Sequence, residues 1–191
     1  MKRLEELKRM VYVVDMINGF LKEGNMKDEA SLSIVPDIRK LLLDTKLKDE
    51  GISFIKDSHN IDSVEFKKFP VHSLKGTSES EVIDELKEFE KRSLVYEKNS
   101  TSVCTIKKYF NDLKRMKSLE EIIFVGVCTD ICVLNAALGT VNYLDQNNRN
   151  VEIYVPENMI STFDSEYHNK EEYTNMALKL MRQAGIKTER M

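Results

Sequence analysis

The run Met10-Val11-Tyr12-Val13-Val14 is continuously apolar and gives way at once to Asp15. A strand with one wet face would alternate apolar and polar side chains. An uninterrupted apolar run suits a strand covered on both faces, the habit of parallel sheets flanked by helices. Short strand-like runs recur at 52–55, 93–96, 121–125 and 151–155, and 186–188 reads as a sixth, edge strand. Between them lie helical patterns. One covers roughly 34–49, with Leu41, Leu42 and Leu47 on its inner side. A second is opened by the capping-box pattern Ser78-x-x-Glu81 and runs to Phe89. Others cover 102–114, 130–144 and 169–183, and 16–33 reads as a loop. This alternation predicts a three-layer α-β-α fold, with a mostly parallel, six-stranded Rossmann-like sheet as one domain over 1–191.

In such sheets ligands bind beyond the carboxyl ends of the strands. Asp15 follows the first strand, Asp57 and His59 the second, Lys98 the third and Cys132 the fourth. A carboxylate, a carboxylate–imidazole pair, an amine and a thiol therefore converge on one edge of the sheet. Singly, each is an ordinary loop start; together they form a candidate reaction centre. A thiol is mostly protonated at neutral pH, so it needs a base to take its proton and a cation to favour the thiolate. Asp15 and Lys98 are of the right types. The turn Gly126-Val127-Cys128-Thr129-Asp130-Ile131-Cys132-Val133 opens a helix. The macrodipole there favours thiolate, and unpaired backbone N–H groups can hold an oxyanion.

The long segment 58–77 supplies a second cluster. Asp57-x-His59 and His72 offer one carboxylate and two imidazoles, and Glu65 adds another carboxylate. Mixed nitrogen and oxygen donors suit a divalent metal, Zn or alternatively Mn or Fe. Two of the chain's three histidines fall here. The third, His168, reads as a capping or surface residue at the start of the last helix.

Composition narrows the partners. Lysines alternate with carboxylates at a net charge of -3, which leaves no basic stripe for nucleic acid. No apolar run approaches the length of a membrane helix, and Met1 to Lys8 is charged rather than signal-like. Three cysteines offer no disulfide framework and point to a reducing, cytoplasmic setting.

Together these segments resemble the isochorismatase-like cysteine hydrolase superfamily, in particular its nicotinamidase (pyrazinamidase) branch. Three stretches carry the resemblance: Val13-Val14-Asp15-Met16-Ile17-Asn18-Gly19-Phe20, Phe69-Pro70-Val71-His72-Ser73-Leu74-Lys75-Gly76-Thr77, and the turn from Gly126 to Val133. It implies a triad of Asp15, Lys98 and Cys132, with Cys132 rather than Cys128 as nucleophile. It implies a cis peptide between Val127 and Cys128, and an oxyanion hole made by the N–H groups of Cys128 and Cys132. It implies Asp57, His59 and His72 as metal ligands with Glu65 as a fourth acidic position, and Phe20, Phe69 and Val127 as substrate contacts. The implied substrate is a small amide, nicotinamide, cleaved to nicotinate and ammonia in NAD salvage, and many such hydrolases are homo-oligomers. Ile17, Asn18, Ile131 and Thr101 depart from the family pattern, so the pocket and its amide are less fixed than the reaction. An amidohydrolase of another carboxamide or carbamoyl compound is the alternative reading. A non-catalytic ligand-binding domain on this fold is the alternative of another class.

Overall fold

The computed structural model describes residues 2–191. Six strands build the sheet: β1 (Arg9–Val14), β2 (Gly51–Asp57), β3 (Leu94–Lys98), β4 (Glu121–Val127), β5 (Glu152–Tyr154) and β6 (Ile160–Ser161). Their order is β3-β2-β1-β4-β5, and every pairing is parallel. β5 and β6 share one edge of β4, the former along Glu121 to Ile123 and the latter along Gly126 and Val127.

The apolar run of β1 divides between two cores, as strand alternation requires. Met10, Tyr12 and Val14 pack on one face with Ile122 and Phe124; Val11 and Val13 pack on the other with Phe54, Ile123 and Val125. The first face is covered by α4 (Lys107–Arg115), α5 (Leu134–Gln146) and α6 (Lys170–Gln183), which contribute Tyr109, Leu113, Ala136, Ala137, Ala177, Leu178 and Met181. The second is covered by α1 (Asn18–Leu21), α2 (Val35–Leu47) and α3 (Lys87–Glu90), with Phe20, Ile38, Leu42 and Phe89. Among the described residues, no helix is long and apolar enough to cross a membrane.

Three expectations are corrected. Ser78 to Phe89 is not one helix. Glu81 takes extended backbone, and its carboxylate pairs with Lys87 at 2.7 Å instead of closing a capping box. Asn18 and Ile83 donate backbone hydrogen bonds to Glu81 and Met16, so Ile17 and Val82 bridge antiparallel. Val82, Ile83 and Leu86 are all fully buried. Adjacent β-branched residues that both need burial favour this extended strap over a helix. The sixth strand is Ile160–Ser161; the segment 186–188 contributes a single bridge, Lys187 to Tyr154. Leu47 is 86% exposed, because the buried stripe of α2 runs through Ile38, Leu41, Leu42 and Thr45 and Leu47 falls on the opposite side.

Gly126 decides how closely β1 and β4 approach. It lies opposite Val14, with φ +118°, and a Cβ there would stand 2.0 Å from the Val14 carbonyl oxygen. No side chain fits at that distance.

Candidate active site

Asp15 leaves β1 in the left-handed region, φ 51°, which turns its carboxylate across the ends of the neighbouring strands. Its own N–H donates to the Ile55 carbonyl, and its Oδ1 accepts from the Asp57 N–H at 2.8 Å. Its Oδ2 lies 2.8 Å from Lys98 Nζ. Asp57 and Lys98 are register partners at the ends of β2 and β3, and Lys98 Nζ also ion-pairs with Asp57 Oδ1. The same ammonium is 3.5 Å from Cys132 Sγ. All four side chains are buried; Lys98 is 2% exposed and Cys132 6%. The strand-end residues thus meet around one lysine.

Cys132 is carried by a π-helical turn, Thr129–Val133, that joins β4 to α5. The Cys128 carbonyl accepts the N–H groups of Ile131 and Val133, both at 3.1 Å. Such turns recur at functional sites. The Val127–Cys128 peptide is cis.

The electrostatics correct one sequence argument. Burial pushes the Cys132 thiol well above its ordinary range, Asp15 and Asp57 push it further, and Lys98 opposes. A turn's dipole contributes about 0.3–1 kcal/mol, too little to offset full desolvation. Burial thus favours the protonated thiol, and Lys98, whose ammonium contacts the sulfur, opposes it. Burial and the neighbouring Asp57 raise Asp15 to about 6, against the pull of Lys98. Burial also works against the charge on Asp57, but Lys98 and the facing imidazoles win and hold its carboxyl below the usual range. Burial would lower Lys98; the two carboxylates overcome it and hold it firmly charged. Cys128 is pushed up to about 12 by burial and by Asp130, and it remains a thiol.

The loop after β2 doubles back, which brings His72 beside His59. His59 and Leu74 form a parallel bridge, with N–H to carbonyl contacts of 2.9 Å from His59 to Ser73 and from Lys75 to His59. The imidazole centroids are 4.6 Å apart. His72 Nδ1 donates to the Pro70 carbonyl at 2.7 Å, and His59 Nδ1 lies 3.0 Å from Asn99 Oδ1. Both rings therefore turn Nε2 toward Asp57 Oδ2, at 3.6 Å from His59 and 3.8 Å from His72. Hydrogen bonds from the far ring nitrogen fix the orientation of an imidazole that holds a metal. Donor atoms of Asp57, His59, Glu65 and His72 all lie within 4.8 Å of one another, and the buried Nε2 of His59 has no hydrogen-bond partner. An orphaned imidazole nitrogen facing carboxylates fits a divalent cation.

Phe20 and Phe69 line the cavity over Cys132, with ring centroids 5.5 and 6.4 Å from that of His72. Val127 is buried and lines the adjoining groove instead. Thr101, Ile131, Met26 and Phe163 complete the cavity wall. Asn99, Met26 and Phe163 were not legible as site residues: no spacing or residue type sets them apart. His168 is neither cap nor surface residue. It pairs with Asp130 beneath the π-helical turn at 2.8 Å.

The isochorismatase domain family matches residues 9–188. Nicotinamidase 1 of Arabidopsis thaliana is 28% identical over 137 residues, 64% of this chain and 56% of that protein. The chain thus spans little more than half the length of that relative. Among solved structures, nicotinamidase PncA from Bacillus subtilis superposes with a TM-score of 0.81 at 24% identity, over 96% of this chain and 100% of the other. N-carbamoylsarcosine amidase from Thermoplasma acidophilum superposes with a TM-score of 0.74 at 25% identity, over 96% of each chain. With a match that takes in β1 through the last bridge of the sheet, the chain belongs to the isochorismatase domain family.

Proposed function

We propose that the protein hydrolyses the amide of nicotinamide to nicotinate and ammonia through a thioester on Cys132. The observation that carries this reading is one ammonium, Lys98, in contact with two buried carboxylates and a thiol. A binding domain would gain nothing from desolvating three ionised groups around a sulfur.

The pKa order sets the sequence of events. A free thiolate is disfavoured by about 1.4 kcal/mol for every unit by which the thiol lies above Asp15. Proton transfer therefore accompanies attack. As the Cys132 sulfur bonds to the amide carbon, its proton passes to Asp15, and Lys98 faces the charge developing on sulfur. The N–H groups of Cys128 and Cys132 receive the oxyanion. The C–N bond then breaks, and Asp15 returns the proton to the departing nitrogen, which leaves as ammonia. Water attacks the thioester and gives its proton to Asp15; the C–S bond breaks, and the thiol is restored. Asp57, His59 and His72, with Glu65 as a further acidic contact, would hold a divalent cation that supplies a Lewis-acid anchor for the pyridine nitrogen. Phe20 and Phe69 flank a flat ring.

The likeness to N-carbamoylsarcosine amidase, with Thr101 and Ile131 in the wall, favours one second reading: a carbamoyl compound as substrate. Ammonia release from nicotinamide, pyrazinamide and small carbamoyl compounds, with and without chelator, separates the two. Release from none of them sinks both.

Asp15 must be ionised to accept the thiol proton, and its carboxyl sits at about 6. The sign follows: kcat/KM falls as pH drops through 6 and approaches a loss of about tenfold per unit below it. An acid limb that stays flat to pH 4.5 would remove Asp15 as the base. For His72→Ala, elemental analysis should find the bound metal lost, and KM for a pyridine amide should rise about tenfold or more. Unchanged metal content would exclude His72 as a ligand.

A further inference from the structure

We propose that His168 is a positioning residue, which fastens Phe163 in place as one wall of the cavity above Cys132. Phe163 follows β6 in the loop that leads to α6, and it lines the cavity shared by Cys132, Asp57 and His72. It also lines the groove next to Cys128, so it stands at the junction of the two.

His168 grips this loop in three ways. Its Nδ1 donates to the carbonyl of Phe163 itself at 3.0 Å. Its ring lies between those of Phe163 and Tyr173, with centroids 3.9 Å away on each side and interplanar angles of 13° and 28°. Its Nε2 lies 2.8 Å from Asp130 Oδ2, on the turn that carries the nucleophile. Thr162 donates to the other oxygen of Asp130 at 2.6 Å. The His168 and Asp130 side chains are 11% and 7% exposed, so water competes poorly for these bonds. Reciprocal hydrogen bonds between Ser165 and His168 close the loop into a tight turn. One imidazole thus ties the loop bearing the wall residue to the turn bearing the sulfur. The triad does not use it, and its partners are Phe163, Ser165, Tyr173 and Asp130 rather than Asp57, His59, Glu65 or His72. Its effect on a substrate passes through Phe163.

The test uses the full chain and rests on the hydrolase reading in its kinetic arm only. In the first arm, site-resolved mass spectrometry follows alkylation of each cysteine by N-ethylmaleimide. In His168→Ala, and in His168→Phe, which keeps the stack and loses both hydrogen bonds, Cys132 should react about tenfold faster than in the parent. Cys104, half-buried against Asn135 and Gly139 of α5 and away from the His168 loop's contacts, should keep its rate. An unchanged Cys132 rate, or equal acceleration at Cys104, overturns the proposal, the latter because it reports general loosening. In the second arm, His168→Phe and Phe163→Ala should each raise KM about tenfold with kcat nearly unchanged, and the double variant should be no worse than either single one. Loss in kcat alone, or full additivity, also overturns it. If the parent releases no ammonia from any amide, the hydrolase reading fails while the alkylation arm still decides the role of His168.

Discussion

Cys132→Ala is expected to lower ammonia release by about 10⁴-fold or more while leaving the fold intact. The size follows from what the sulfur does: without it there is no thioester, and only cavity and oxyanion contacts remain to help water attack directly. Stability should change by about 1 kcal/mol at most, because one buried heavy atom is lost and an unfavourably buried polar group goes with it. Thermal unfolding and a coupled ammonia assay on the same preparation check both halves. Retention of even a tenth of the activity would displace Cys132 as nucleophile.

Lys98→Met should fail in both respects. Asp15 and Asp57 then face each other in the buried site with no cation between them. Leaving buried charge uncompensated costs about 3–5 kcal/mol. In chelator-treated protein this corresponds to a fall of about 10 °C in Tm for a chain of this size. Activity should drop by about 10³-fold, since nothing then offsets charge developing on the sulfur. The informative variant is Lys98→Met with Asp15→Asn. Removing one carboxylate should recover at least half of the lost Tm and none of the activity. A Lys98→Met protein as stable as its parent would show that the site tolerates the bare pair and would refute this account of its electrostatics.

The sheet was legible because its central strands are written as uninterrupted apolar runs. Met10 to Val14 admits no solvated face, and the residues at and just beyond the strand ends mark the edge where Asp15, Asp57, Lys98 and Cys132 meet. What escaped the sequence is set by contacts between distant segments. Ile160–Ser161 is too short to show any period, and its pairing with Gly126 and Val127 depends on β5 ending early. Ser78-x-x-Glu81 carries a sound local helix signal that the buried pairing of Ile17 with Val82 overrides. His168 gave no sign of burial, since Asp130 is 38 residues away and Phe163 and Tyr173 have ordinary spacings. The upward push of burial on the Cys132 thiol could not be read either: position at a helix start is visible in a sequence, but the depth of burial is not.

The absence of clearance between Gly126 and the Val14 carbonyl also bears on how such a protein can diversify. One methyl group there would have to push two backbones apart. The interval between the acid-bearing end and the sulfur-bearing end is therefore inherited as a fixed gauge that drift cannot widen by small steps at this point. Descendants seeking new amides are left to rework the surrounding loops, where a residue can be exchanged without prising the two reacting ends apart.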